Sequence, residues 1–354
     1  MNCYNKVKLL GRGAFGEAWI VENNNKKYVM KILRTDQVKI ENFHKEIETL
    51  KKISNNCGDN LNSSSFCLIE TFISYPIKDT VPSYIIITNY LENAKELTNF
   101  MYTLDLQNIL FIMQRLLEQL HTFHNNNITH SDIKPQNIII QINDNNVITN
   151  VLFIDFGLAC TQKMCKYSGT IAYMAPESLK NVSKDTTQEN LKKTDIWSLG
   201  IVFYRLLNKK FPYPSYEDYI YNKNMRSSSS SENSSENSEN DSENDSKNMR
   251  SSSENSVDQV SNNIIKGDQL YRLYEYYTKN TIKSNFNTSD NNNNVSSKLN
   301  FIVESMLIQD PDKRITINEI ISVFQKLLLD NNNIILQKRL RINTKHLNEQ
   351  EYTE

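Results

Sequence analysis

The chain has 354 residues, enough for a large domain with a substantial buried core, and its 40 basic and 41 acidic residues leave a net charge of −1. Near-neutral charge excludes any global attraction to nucleic acid or to an anionic membrane surface. No stretch approaches the roughly 20 apolar residues that span a bilayer, and the opening residues lack the apolar core of a secretory signal, so a soluble, intracellular, cytoplasmic protein is expected. In chain order, short β-branched runs come first: Val7 to Leu10, Ala18 to Glu22, Tyr28 to Leu33, Phe66 to Ser74 and Tyr84 to Thr88, which predict the strands of one small sheet. Between them, Phe43, Ile47, Leu50 and Ile53 recur at helical spacing and predict a helix over Ile40 to Ile53. Beyond Leu91 the pattern turns helical, with Leu106 to His124 and Thr194 to Leu207 the clearest cases, interrupted by a strand pair at Ile138 to Ile142 and Val147 to Ile154.

Residues from about 223 to 262 are almost entirely Ser, Asn, Glu and Asp, and the hexapeptide NMRSSS occurs at both 224 and 248, which predicts a disordered insert. Asparagine clusters at 23–25, 125–127 and 331–333 sit where turns are needed. The five cysteines, Cys3, Cys57, Cys67, Cys160 and Cys165, are odd in number and match no zinc spacing. They are expected to be free thiols; a regulatory disulfide between Cys160 and Cys165 is the alternative.

Several motifs carry chemistry. Gly11-Arg12-Gly13-Ala14-Phe15-Gly16 lies between two predicted strands, where glycines let a hairpin tip approach phosphate oxygens. A dinucleotide-binding loop would continue into a helix, whereas a strand follows here. Further on come His130-Ser131-Asp132-Ile-Lys134-Pro-Gln-Asn137, then Asp155-Phe156-Gly157, Ala175-Pro-Glu177, and Arg314 in Asp-Pro-Asp-Lys-Arg.

Over roughly residues 4 to 329 these motifs, in this order, resemble the eukaryotic-type serine/threonine protein kinases. The resemblance implies an α+β, bilobal fold: a small antiparallel-sheet N-lobe with one helix over 1–91, a helical C-lobe over 92–329 that carries the insert, and a tail over 330–354. It implies ATP and Mg2+ as substrate and cofactor and protein substrates with Ser/Thr acceptors, with no nucleic acid or membrane partner, and leaves the oligomeric state open. By resemblance, Lys31 holds the α- and β-phosphates and Glu46 pairs with it; Asp132 orients or accepts the proton of the attacking hydroxyl; Lys134 neutralises the transferring phosphoryl; and Asn137 with Asp155 holds the metal. Ala18 and Val29 lie above the adenine ring and Ile139 beneath it, Thr88 stands at the gate behind it, and Asn89 to Leu91 form the hinge. His130 and Phe156 read as packing residues, and Asp195 as the brace of the catalytic loop. Lys134 and Gly169-Thr170 point to the serine/threonine branch.

Two departures from the family pattern stand out. Ser131 occupies the position where most members carry arginine, and the commonest phosphorylated position falls on Lys166, so activity is expected to need no activation-loop phosphorylation. The sizes of Ala18 and Val29 are exchanged relative to the usual pair, which conserves summed volume. A pseudokinase scaffold is the competing reading. A small-molecule kinase is not expected to carry Gly169-Thr170, Ala175-Pro-Glu177 and Arg314 together.

Overall fold

The computed structural model describes residues 4–13, 16–54, 68–74, 82–145, 147–213, 272–287 and 293–330. Ala14, Phe15, Cys3, Cys57, Cys67, Phe66, the insert at 223–262 and the tail from 331 lie outside the described residues. No described helix is long and apolar enough to cross a membrane.

The first five strands, β1 (Asn5–Gly13), β2 (Gly16–Asn23), β3 (Lys26–Arg34), β4 (Leu68–Ser74) and β5 (Ser83–Asn89), form one sheet in the order β1-β2-β3-β5-β4. Every neighbouring pair is antiparallel. Asn24 and Asn25 join β2 to β3 with φ of 50° and 60°. Two successive left-handed residues give the turn whose twist matches a hairpin, and asparagine tolerates that region better than most residues. Gly16 opens β2 at a close approach: a Cβ there would lie 1.9 Å from the Ile32 carbonyl oxygen.

The isoleucine run of β5 serves both faces of the sheet. Ile85 and Ile87 join Val21 and Met30 in a small outer cluster, while Tyr84 and Ile86 join the main core. On that inner face lies α1 (Ile40–Ser54), which buries Phe43, Ile47 and Leu50. The Phe43 ring stacks on Tyr84 with centroids 4.5 Å apart.

The second lobe is mostly helical. It contains β6 (Ala94–Glu96), α2 (Leu106–Asn125), β7 (Ile138–Ile142), β8 (Ile148–Phe153), β9 (Met164–Lys166), α3 (Pro176–Lys180), β10 (Asp185–Thr187), α4 (Gln188–Asn208), α5 (272–279), α6 (Asn293–Met306) and α7 (Ile317–Asp330). Asp105 caps α2 by accepting from the Asn108 N–H at 2.8 Å. Thr187 caps α4 in the same way, so that helix starts at Gln188, ahead of the predicted Thr194. Leu191, Ile196, Trp197, Leu199, Ile201, Val202, Phe203 and Leu206 are all buried along α4, making it the axis of this lobe. The chain is thus an α+β, two-lobed fold, with a main core that runs continuously from α1 through α2 and α4 to α7.

One expectation is corrected here. Cys160 and Cys165 are not free thiols in this structure; they are joined in a disulfide. The physical reason is the local turn. Cys160 pairs with Thr129 while Cys165 lies in β9, whose antiparallel partner is β10, and this brings the two Cα atoms to 6.2 Å, within disulfide reach.

Glu177, at the start of α3, meets Arg314 in a bidentate pair at 2.6 and 3.0 Å. The remaining Arg314 donors go to the carbonyls of Ile308, Lys193 and Gln309, and the guanidinium lies 5.0 Å from the Trp197 ring centroid. All five guanidinium N–H groups therefore have acceptors, which is what allows a charge that is 1% exposed. Glu177→Ala should lower unfolding free energy by roughly 3 to 5 kcal/mol, because it strands the buried cation. Urea denaturation of the two proteins checks this; a loss below about 1 kcal/mol would mean that the guanidinium finds other compensation.

Candidate active site

The loop between α2 and β7 is held from below by one buried carboxylate. Asp195, on α4 and 1% exposed, accepts the backbone N–H of His130 at 2.9 Å and that of Ser131 at 2.8 Å. Its Oδ2 also lies 3.1 Å from His124 Nε2. These bonds secure Ser131 in the left-handed region, φ 64°, a conformation that a non-glycine residue keeps only when its surroundings impose it. His130 in turn accepts from the Asp132 N–H through Nδ1 and pairs through Nε2 with the Ile154 carbonyl, which makes Nε2 the protonated nitrogen. The His130 ring packs on Phe153 and Phe156.

On this platform four polar side chains converge. Lys134 Nζ donates to Asp132 Oδ2 at 2.7 Å and to Thr170 Oγ1 at 2.8 Å. The Thr170 hydroxyl and backbone N–H donate to Asp132 Oδ1 at 2.7 and 2.8 Å. Asn137 Nδ2 donates to the Asp132 carbonyl and to its Oδ2, at 2.9 and 3.1 Å. Gly169 precedes this junction with φ 129°, and a Cβ there would sit 2.8 Å from the Ser131 carbonyl oxygen, so the close approach requires glycine.

A second cluster links the lobes. Lys31 Nζ donates to Glu46 Oε1 on α1 at 2.6 Å and to Asp155 Oδ1 at 2.7 Å. Burial alone would depress the Lys31 ammonium, but the Glu46 and Asp155 carboxylates outweigh it and hold the group above the ordinary lysine range. Burial would likewise raise Asp155, and the Lys31 charge and hydrogen bond reverse that, leaving it below the ordinary carboxylate range.

Sheet register gathers the remaining candidates. Ala18 pairs with Lys31 and Val29 with Thr88, and Val29 and Lys31 are two residues apart on β3, so all four side chains share one face. Thr88 and Asn89 are buried at the end of β5, while Leu91 and Ile139 are half-buried beyond it. Gly11, Arg12 and Gly13 end β1 and Gly16 begins β2, with Arg12 paired to Glu17 at 2.9 Å.

The whole chain can now be set beside known proteins. A family model described as a protein kinase domain matches residues 4–324. This chain belongs to the protein kinase family. Among similar proteins, the serine/threonine-protein kinase cds1 of Schizosaccharomyces pombe is 29% identical over 232 residues, covering 60% of this chain and 46% of that protein. The meiosis-specific serine/threonine-protein kinase mek1 of the same organism is 29% identical, over 58% of this chain and 46% of its own. The calcium-dependent protein kinase 6 of Plasmodium berghei is 34% identical over 58% of this chain but 13% of its own. The chain therefore spans less than half the length of these relatives.

Kinase domains use ATP and a divalent cation, and the donor set here is compatible with both. Asp155 offers a carboxylate held ionised, its side chain 46% exposed, and Asn137 offers an amide beside Asp132. Sequence reading of the kinase domain missed three supports of the site. His124 is one, a buried histidine on an otherwise apolar face of α2. The pairing of β9 with β10 is another, and Gln188, which donates to the carbonyls of Asn127 and Cys160, is the third. A histidine six residues before His130, on the helical stripe of Leu117 and Leu120, was a usable signal for the first. No spacing announces the other two.

The ion cluster sets a pH expectation. A depressed carboxylate contributes stability that is complete above its unfolded pKa near 4 and is lost as pH falls through the folded value. A raised lysine contributes stability that is complete below its unfolded pKa near 10 and is lost as pH rises through the folded value. Lys31→Met, which leaves Glu46 and Asp155 without their shared cation, should therefore destabilise the kinase domain equally at about pH 6 and about pH 9. Unfolding titrations at both values check this; a penalty that changes between them would mean that a member of the cluster titrates inside the window.

Proposed function

We propose that this chain transfers the γ-phosphate of ATP to serine and threonine hydroxyls of protein substrates, without needing phosphate on its own activation segment. The observation that carries the reading is the convergence of Lys134, Thr170 and Asn137 on Asp132, at 2.7 to 3.1 Å.

In this reading the substrate hydroxyl oxygen forms a bond to the γ-phosphorus, the bond from that phosphorus to the bridging oxygen breaks, and the hydroxyl proton passes to Asp132. Asp132 orients the hydroxyl, and its own carboxylate is positioned by the three donors around it. Lys134, 21% exposed at its side chain, carries a charge toward the transferring group while remaining tethered to Thr170. Lys31 holds the non-transferred phosphates, in an orientation set by Glu46. The loop of Gly11, Arg12, Gly13, Ala14, Phe15 and Gly16 covers the phosphates. Ala18 and Val29 above, Ile139 below, Thr88 behind and Asn89 to Leu91 at the edge enclose the adenine. Asn137 and Asp155 would hold Mg2+, which would supply positive charge to offset that of the phosphates.

Independence from activation-segment phosphate rests on the surroundings of the segment. A phosphate needs a cation, and the residue beside Asp132 is Ser131, whose hydroxyl is buried against Thr129 Oγ1 at 3.3 Å. Lys166 is exposed in β9, opposite Asp185 in β10. Of the hydroxyls in the segment, Tyr167 is 8% exposed among Cys160 and Leu191, and Thr170 is engaged with Asp132 and Lys134. Backbone pairing of β9 with β10 holds the segment directly.

The deciding experiment follows labelled phosphate from magnesium-ATP into a basic protein substrate and into the chain itself. Asp132→Asn should reduce transfer by roughly 10²- to 10⁴-fold while a nucleotide-induced rise in melting temperature persists. Silence of both proteins, with that rise intact, would favour a nucleotide-binding scaffold. Mass spectrometry of the active wild-type protein should find no obligatory phosphate on Thr161, Tyr167, Ser168 or Thr170; phosphate present there in every active preparation would overturn the second half of the proposal.

A further inference from the structure

The disulfide between Cys160 and Cys165 lies between Asp155 and Thr170, and its two ends have different anchors. Cys160, 2% exposed, exchanges both backbone hydrogen bonds with Thr129, each 3.0 Å long, immediately before His130. Cys165 is the central residue of β9 and faces Thr186 in β10, the strand that runs into the Thr187 cap of α4. The sulfur bridge thus ties the entry of the catalytic loop to the start of α4, through residues that lead to Thr170. Tyr167 and Leu191 pack around it. Cys165 is half-buried and is the more accessible of the two residues, Cys160 being 2% exposed.

We propose that Cys160 and Cys165 are a reversible oxidation site, closed by a small disulfide such as oxidised glutathione, and that closure holds the activation segment in the place a phosphate would otherwise hold it. The second clause rests on the kinase reading. In the first step the Cys165 thiolate attacks one sulfur of glutathione disulfide, forms a mixed disulfide and releases one glutathione thiolate. The Cys160 thiolate then attacks the Cys165 sulfur and expels the second. Two protein thiols are oxidised, one glutathione disulfide is reduced to two glutathiones, and the two thiol protons end on those products. Closing a ring over residues 160–165 removes conformations from the segment, while the backbone pairs of β9 with β10 are made without either sulfur. Reduction is therefore a change in local order, not loss of the fold.

The test equilibrates the full chain in glutathione buffers of graded ratio and reads three quantities. Alkylation followed by peptide mass spectrometry gives the oxidation state of the 160–165 peptide separately from Cys3, Cys57 and Cys67. Labelled phosphate transfer gives the rate, and thermal unfolding with magnesium-ATP gives nucleotide binding. The disulfide fraction should follow the glutathione ratio, transfer to protein substrate should fall by at least about fivefold on reduction, and nucleotide binding should change little. Cys160→Ser with Cys165→Ser should match the reduced wild type and ignore the ratio. Thiols of this peptide that stay alkylatable at every ratio would overturn the oxidation site. A disulfide that follows the ratio while transfer stays constant would overturn the latch. If the disulfide follows the ratio and neither form transfers phosphate although nucleotide binds, the oxidation site stands and the kinase reading fails.

Discussion

A carboxylate that is 1% exposed needs hydrogen-bond donors, and Asp195 receives them from the loop that carries His130, Ser131 and Asp132. The exchange works in both directions. The His130 and Ser131 N–H groups are buried polar groups with no ladder partner, and Asp195 satisfies both. Because α4 is buried along most of its length, the carboxylate has a rigid base. Everything downstream inherits that rigidity: the left-handed Ser131, the direction of Asp132, and through Asp132 the positions of Lys134, Asn137 and Thr170. Loss of this one carboxylate would leave both N–H groups without their acceptor.

A second constraint works between lobes. Lys31 is one cation shared by carboxylates from two elements, Glu46 on α1 and Asp155 after β8. Phe156, the residue after Asp155, is 1% exposed and packs edge-on against Phe123 of α2 at 5.6 Å. The position of α1 is therefore coupled to that of Asp155 by charge and to the helical lobe by packing. If α1 swung away, Lys31 would lose one of two partners and Asp155 would become the only carboxylate opposing a cation that is partly buried. The arrangement is self-consistent only when sheet, α1 and catalytic loop are aligned together.

The sequence made the fold legible wherever the signal came from periodic burial. The five strands, α1, α2 and α4 could all be read from β-branched runs and helical spacing, because each buries a face and burial dictates apolar residues at fixed intervals. Site residues were expected for a different reason, the family's motifs in their order; the structure brings Lys31, Glu46 and Asp155 together in one cluster and Asp132 with Asn137 in another. Asn24 and Asn25 carried their turn in their identity. What could not be read was built from backbone. Three-residue strands such as β9 and β10 bury too little to impose a pattern, and their pairing depends on tertiary proximity. The Cys160–Cys165 bridge was misjudged because compartment was given more weight than local turn geometry, which no spacing rule exposes.

The segment between Asp155 and Thr170 is held by contacts spread along its length. Where a phosphate holds such a segment, one strong charge-assisted contact suffices and the backbone can be loose. Here Ser131 stands beside Asp132, and weaker contacts follow one another along the segment. The Thr129–Cys160 backbone pair comes first, then Gln188 on the Asn127 and Cys160 carbonyls, then the β9–β10 pairing, and last the Thr170 contacts to Asp132 and Lys134. A series of this kind is only as ordered as its weakest link, and the turn at residues 161–163 lies outside both the Thr129–Cys160 pair and β9, with the Lys163 carbonyl accepting the Gln188 N–H at 3.2 Å. The disulfide spans that link and no other. Its placement follows from the mechanics of a chain tethered at both ends: a cross-link across a well-paired stretch would add little, whereas one across this turn restricts the residues that lead toward Thr170.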